Sequence, residues 1–399
     1  MRRSAAIILG ITTALSLLVV SSSAADSFDA PKRFVTMCGV ALAFAVTCWS
    51  PLRMPAIHSR PHRAAAVCAI AALLLIAISA LLSPRRDVAL DALRTILVFA
   101  SVLWIAALDR TIFPAVAKGF VAGAGVNAAI ALFQAGGISL TTTVNAGDRA
   151  ATFGLLGNTG VAGLVFAFAA TIVIGWILAR PRLVTFALLA LLVTGVVVTR
   201  SVTPILALAA GAAAAALLSK RTPRVARIAI PVGALAAIVL AVAMLASRAS
   251  LPNLNALLSY RLGPWAAAVE MVRDRPLAGF GPGTFAAEFA PQLVDAELRW
   301  QTRLMNPVLT GSYAEAHNDY LQAAAEVGVP ATILFAVAIG IVVLLLVRRT
   351  RDAVTGGLLV ATAVAALTWF PLHRAPTALL IVAAAGHAWR LTLDAEEPQ

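Results

Sequence analysis

Apolar residues fall along this chain in long unbroken runs, and polar residues crowd into the breaks between them. Twelve runs stand out, at 5–25, 34–50, 64–82, 88–108, 113–136, 154–178, 183–199, 203–219, 228–246, 327–347, 354–370 and 377–391. Most reach the ~17–25 residues that a helix needs to cross about 30 Å of hydrocarbon. The pattern predicts an all-α, polytopic integral membrane protein of about twelve transmembrane helices. A transmembrane barrel would instead show short alternating segments. The chain, 1–399, reads as a single membrane domain broken by one large loop at 247–326 that contains short helices.

Composition agrees with the pattern. The hydrophobic fraction is 61% and the charged fraction 12%, against roughly 45–50% and 25% in soluble domains. The net charge of +13 is not pooled on one soluble stretch, so it gives no reason to expect a nucleic-acid partner. It lies in small clusters between apolar runs, as membrane topology demands. With the N-terminus cytoplasmic, the inner segments hold sixteen Lys and Arg, among them Lys220, Arg221, Arg224, Arg227, Arg348, Arg349 and Arg351. The short outer loops then hold seven: Lys32, Arg33, Arg85, Arg86, Arg149, Arg200 and Arg374. The positive-inside rule therefore puts both termini in the cytoplasm and the large loop outside. Trp49, Trp104, Trp176, Trp369 and Trp389 fall near span ends, as an interfacial belt requires. Met1-Arg2-Arg3, an apolar run and Ser23-Ala24-Ala25 resemble a secretory signal, but the run is long for one and reads as a retained anchor. Cys38, Cys48 and Cys68 lie inside apolar spans without metal or disulfide spacing, and read as buried thiols.

The loop carries the candidate chemistry. Ser312-Tyr313-Ala314-Glu315 has the form of a capping box, which predicts a helix starting at Ser312 and running into the next span. His317 then lies in its second turn, at the edge of a polar stripe of Asn318, Gln322 and Glu326. A histidine there suits proton transfer near neutral pH; taken alone, it reads equally well as an interfacial side chain with a satisfied hydrogen bond. Arg261 and Trp265 sit four apart on a helix expected at about 257–274, the spacing of a surface cation–π pair. Gly279, Gly281 and Gly283 permit a tight path, without the strand and lysine of a phosphate loop, and read as a bend toward the membrane surface. Arg200 occupies a very short outer turn next to hydrocarbon, where a guanidinium either snorkels or meets an anion. Arg94 and Lys118 lie within spans, with Asp91 as a partner at hand. No carboxylate cluster in the loop suggests a metal.

Together these elements resemble the O-antigen ligase/polymerase family of bacterial envelope glycosyltransferases. The resemblance is carried by Arg200 at the short outer turn and by R-x-x-x-W at Arg261 and Trp265. Pro276 to Phe285 adds P-L-x-G-x-G-x-G-x-F, and His317 to Gly328 adds H-N-x-Y-L-Q-x-x-x-E-x-G. Weaker similarities are Gly157-Asn158 and the Phe370-Pro371-Leu372-His373-Arg374 segment. The resemblance implies transfer of a glycan from an undecaprenyl-diphosphate-linked donor to an acceptor hydroxyl at the periplasmic face of the inner membrane. The acceptor is lipid A-core or a similar glycan; a polysaccharide repeat-unit polymerase and a protein O-oligosaccharyltransferase are the alternatives. A lipid-linked glycan transporter is the reading from another class. In the enzyme reading His317 is the general base, Arg200 and Arg261 bind the diphosphate, and Trp265, Asn318, Tyr320, Gln322 and Glu326 support them. No cofactor or metal is implied, and the mechanism inverts the anomeric centre.

Overall fold

The computed structural model describes residues 2–24, 26–49, 57, 59–138, 152–225, 227–233, 235–236, 239, 261–304 and 313–396. The regular structure of those residues is helical, with no strand among them. The bundle opens with α1 (Arg2–Leu18), α2 (Asp29–Cys48), α3 (Arg60–Leu82), α4 (Arg86–Leu108) and α5 (Ile112–Ala135). It continues through α6 (Thr159–Ala179), α7 (Leu183–Val198) and α8 (Val202–Leu218). After the loop helices α9 (Leu262–Asp274), α10 (Phe285–Trp300) and α11 (Asp319–Val327), it closes with α12 (Val329–Leu345), α13 (Ala353–Ala365) and α14 (Ala375–Asp394).

Among the described residues six helices are long and apolar enough to cross a membrane: α2 to α6, and α12 with the π turn that extends it to Thr350. The apolar helices α1, α7, α8 and α13 have only 17, 16, 17 and 13 residues. At 1.5 Å per residue they rise about 20–26 Å, short of the hydrocarbon thickness. Of the expected span at 228–246, residues 228–233, 235–236 and 239 are described and helical, and the rest falls outside the described residues.

α6 is the axis of the bundle. Its apolar stretch is 78% buried, against 17% for α4, because every face of Thr159–Ala179 is apolar and neighbours enclose it. Small residues let the backbones approach. A Cβ on Gly119 of α5 would fall 1.9 Å from the Gly10 carbonyl oxygen of α1, and one on Gly386 of α14 would fall 2.3 Å from the Leu103 carbonyl of α4. Two buried amides of α5 fix the approach to α6. Asn127 donates to the Leu17 carbonyl (3.0 Å) and accepts from the Leu155 N–H (2.7 Å). Gln134 accepts from the Phe153 and Gly154 N–H groups. Asn158 then caps α6, accepting from Gly160 and Val161. The cysteines are not buried, contrary to expectation. Cys38 and Cys48 are exposed on the outside of α2 and Cys68 is half-buried, since the bundle interior takes the smaller alanines and glycines. Arg94 meets Asp91 at 2.5 Å one turn away.

The loop helices form a second, separate core of Ala266, Ala267, Met271, Phe280, Phe285, Phe289 and Leu293 with their neighbours. Buried Glu270 of α9 pairs with Arg273 (3.0 Å) and with Arg299 of α10 (3.1 Å). The expected helix start at Ser312 falls outside the described residues, but the helix itself begins later. Residues 313–318 are not helical, Asn318 is the N-cap and α11 starts at Asp319, so His317 precedes the helix instead of riding its second turn. Nor does α11 run into the next span. Gly328, at φ 84°, breaks it from α12, and a Cβ there would lie 2.2 Å from the Leu277 carbonyl.

Because α1 and α5 touch through backbone at Gly119, Gly119→Val should lower the thermal midpoint of the detergent-solubilised protein by several degrees, an overpacking penalty of about 1–3 kcal/mol. Gly340→Ala, where an added Cβ meets nothing within 4 Å, should leave the midpoint unchanged or slightly raised.

Candidate active site

The glycine-rich segment is built around an internal anion. Gly279, Gly281 and Gly283 all adopt left-handed backbone, which turns successive N–H groups toward the end of α11. Phe280 N–H donates to the Ala325 carbonyl (3.1 Å) and Gly281 N–H to the Glu326 carbonyl (2.7 Å). Gly283 N–H reaches Glu326 Oε2 at 2.7 Å, and Phe285 N–H reaches Oε1 at 3.2 Å. The segment thus bends as expected, but its amides hold the buried Glu326 carboxylate. Ser79 of α3 and Ser83, its C-cap, tie the same place to the bundle by donating to the Glu326 and Phe280 carbonyls.

From Glu326 a hydrogen-bonded chain runs outward. Gln322 donates to Glu326 Oε1 (3.0 Å) and accepts from the Ala316 N–H (2.8 Å). The amide is thereby oriented, with its NH2 directed at Nε2 of His373 at 3.1 Å. His373 Nδ1 lies 2.8 Å from Asp319 Oδ1, whose other oxygen accepts from the Leu372 N–H. Burial works against a charge on His373, yet the hydrogen bond and charge of Asp319, with Glu326 and Glu315 behind it, push its pKa up to about 9. The ring is densely surrounded but keeps 32% of its side chain open. An NH2 group facing Nε2 calls for the neutral ring, a protonated one for a displaced Gln322. The fixed amide thus opposes the charge that Asp319 favours, and in either state Nδ1–H points to Asp319.

His317 stands beside this chain in left-handed backbone, φ 56°. Its imidazole is surrounded edge-on by Tyr313, Trp369 and Phe370, with ring centroids 5.7, 5.1 and 4.9 Å away. Nδ1 lies 3.1 Å from the Glu315 carbonyl. A carbonyl only accepts, so Nδ1 carries the proton and the neutral ring keeps Nε2 as a free base. Burial lowers the His317 pKa to about 4; the Glu315 carbonyl opposes this, and Arg261 and Arg374 add to it.

The arginines come to the same aromatic pair. Trp369 and Phe370 stack at 4.7 Å; Arg261 lies over Trp369 at 5.5 Å and Arg374 over Phe370 at 5.0 Å. Arg261 is the residue before α9, and burial disfavours its charge. A guanidinium keeps its proton in proteins, so this position favours an anion. Arg374 bonds Asp29 (3.2 Å) and reaches Glu315 at 3.5 Å. Among the described residues neither Arg200 nor Arg261 has a carboxylate partner.

Arg261 and His317 are therefore brought together across Trp369. Arg200 is exposed, at φ 52°, in the turn between α7 and α8, and touches neither. Its turn is nonetheless tied to the same corner, because Thr203 and Thr368 hydroxyls bond at 2.9 Å. Arg261 and Trp265 do not form the expected stacked pair: Arg261 takes Trp369, and Trp265 Nε1 approaches the His317 carbonyl at 3.5 Å. Asn318 serves as N-cap, accepting from the Leu321 N–H at 3.0 Å. Tyr320 faces away from the site, donating to the Ala363 carbonyl at 3.0 Å. Trp369 is buried at the site. Sequence reading missed Glu315, Asp319, Trp369 and Phe370 as site residues and left His373 and Arg374 without a role, although the aromatic and basic cluster at 369–374 was visible.

The fold and site define a multi-pass helical membrane protein with a cationic, aromatic-lined histidine site where a folded loop meets the bundle. Residues 187–336 match the family model described as O-antigen ligase. The matched stretch includes Arg200, Arg261 and His317 and stops before Trp369. No curated protein matches the chain.

Glu326→Gln puts an NH2 group against an N–H donor and should cost about 1–3 kcal/mol, the penalty of an unpaired buried polar group. The measurements are the thermal midpoint and protease sensitivity of residues 276–285; unchanged values in both would show that the carboxylate does not hold this segment.

Proposed function

We propose that the protein is a membrane glycosyltransferase that moves a glycan from an undecaprenyl-diphosphate-linked donor to an acceptor hydroxyl at the periplasmic face. The observation that carries this reading is His317: a half-buried imidazole with Nδ1 committed to a carbonyl, Nε2 free, and a guanidinium across the shared Trp369 ring. In this reading Arg261, with Arg200 on the neighbouring turn, receives the diphosphate. Their charge stabilises the departing pyrophosphate as the glycosidic C–O bond breaks. Nε2 of His317 takes the proton of the attacking hydroxyl, which approaches opposite the leaving group and inverts the anomeric centre. Trp265 steadies the His317 backbone, while Asn318, Gln322 and Glu326 hold α11 and the glycine segment behind it; Tyr320 anchors α11 to α13.

A base with a pKa of about 4 is weak, and the same arginines that depress it supply the remedy. A bound diphosphate offsets their charge and places anions near the ring, raising the basicity of His317 in the complex. Substrate and base are thus coupled electrostatically.

His317→Ala should abolish transfer, by at least about 10²-fold, with unchanged expression and membrane insertion; undiminished transfer would remove the general-base role. Arg261→Lys should be strongly impaired, since an ammonium lacks the planar fork; equal activity of the two would reduce the role to simple charge. As pH falls, kcat/KM should hold through the ordinary histidine range and drop only near about 4, because the neutral ring is the active form. The fall in kcat should come at a higher pH than the fall in kcat/KM, since kcat reports the complex. A kcat/KM inflection near 6.5, the ordinary histidine value, would contradict the burial of the base.

A further inference from the structure

Beside the His317 site the described residues line a half-open cavity of about 170 Å³ between the end of α1, the start of α2, the N-terminus of α6 and the start of α14. Its polar lining is Asp26, Asp29, Lys32, Asn158 and Arg374. The cavity shares two walls with the histidine site. Arg374 bonds Asp29 on one side and Glu315 on the other, and the Glu315 carbonyl holds His317. The N-terminus of α6, which brings Asn158 to the cavity, packs on Trp369: a Cβ at Gly160 would lie 2.4 Å from that ring.

The lining has hydrogen-bonding capacity to spare. Lys32 is only 4% exposed and directs one of its three N–H groups to the Val19 carbonyl at 2.5 Å. The Asn158 oxygen is used by the α6 cap, leaving its NH2 group. Asp26 commits Oδ1 to the Phe28 and Asp29 N–H groups and keeps Oδ2. Nε of Arg374 is buried with no acceptor. A buried donor left unpaired is costly unless something fills the site.

We infer that this cavity seats a sugar ring of the acceptor and delivers one of its hydroxyls toward His317, an inference that rests on the transferase reading above. Two cations, Lys32 and Arg374, face two anions, Asp26 and Asp29. The charges cancel, which does not suit a diphosphate. Interleaved carboxylate, amide, ammonium and guanidinium groups suit vicinal hydroxyls, each of which both donates and accepts. The cavity is well below the ~300–1,000 Å³ of a drug-sized site, so it takes one ring, with the rest of the acceptor outside. Its several polar groups around one small volume favour a glycan acceptor over the lone hydroxyl of a serine or threonine on a protein.

The test uses the full chain in nanodiscs, an undecaprenyl-diphosphate-linked glycan as donor, and three acceptors: lipid A-core, an undecaprenyl-diphosphate-linked repeat unit and a serine-containing peptide. One of the two glycolipids should be glycosylated and the peptide should not. Val161→Phe fills the cavity without touching Arg374, and Asp29→Asn removes a carboxylate. Each should raise KM for the glycolipid at least about tenfold, the worth of one charge-assisted hydrogen bond, while donor affinity, measured separately, stays unchanged and reports correct folding. Transfer to the peptide, or an unchanged glycolipid KM in both variants, would overturn the cavity assignment while leaving the transferase reading standing. Failure of the wild type to bind donor or glycosylate any acceptor would remove the transferase reading and the cavity assignment together.

Discussion

The stacked pair Trp369–Phe370 is the contact on which the site is assembled. Each ring takes a guanidinium, Arg261 on the first and Arg374 on the second, and both receive the edge of His317. These groups come from elements far apart in sequence: the residue before α9, the stretch before α11 and the turn before α14. The pair itself is held against α6, where Gly160 leaves room for Trp369. The most deeply buried helix of the bundle therefore sets the position of a histidine that belongs to the loop. Cation–π contact with Trp is worth about 2 kcal/mol or more when desolvated, which helps keep a guanidinium beside apolar rings.

The glycine-rich segment shows how an anion cradle can serve structure instead of ligand. Left-handed glycines turn amides toward one carboxylate, much as phosphate-binding nests do, but the anion is Glu326 of the same chain. With those amides occupied, the charge of the diphosphate in the proposed reaction would fall to side chains. That division agrees with the lack of carboxylate partners for Arg200 and Arg261 among the described residues. It also separates two roles within one motif: Glu326 and Gln322 fix the geometry of α11, and His317, before the helix, faces the aromatic pocket.

The helices were legible because their apolar runs leave no other way to satisfy the backbone in hydrocarbon. Boundaries were less legible where two local rules competed. Ser312 with Glu315 and Asn318 before α11 both satisfy capping patterns within a few residues, and Asn158 likewise caps α6 later than the apolar run begins. In α11 the tertiary contacts decide. His317 has to leave the helix to meet Trp369, so the cap shifts to Asn318. Arg261, Arg200 and His317 could be singled out because each is a polar group in a costly setting. Trp369 could not, because an aromatic residue at a span end is also what an interfacial belt looks like. The Arg374–Glu315 and His373–Asp319 pairs join residues more than fifty positions apart, and nothing in local spacing announces them.

Two of the three residues assigned to the chemistry, Arg200 and His317, adopt left-handed backbone that non-glycine residues seldom occupy. Such a conformation costs on the order of 1–3 kcal/mol and persists only where surrounding structure imposes it. For His317 the imposing contacts are visible: the Asn318 cap ahead, the Glu315 carbonyl on Nδ1 and three rings around the imidazole. For Arg200 they are the turn that ties Thr203 to Thr368 and the packing of Thr199 against Gly163. Glycine would relieve the strain at either position. Holding a charged or titratable side chain there instead implies that its direction is worth more than the backbone energy lost. Both strained turns border the corner around Trp369, and for the proposed transferase, whose base and anion clamp would have to be aligned before substrate arrives, that is where preorganisation belongs.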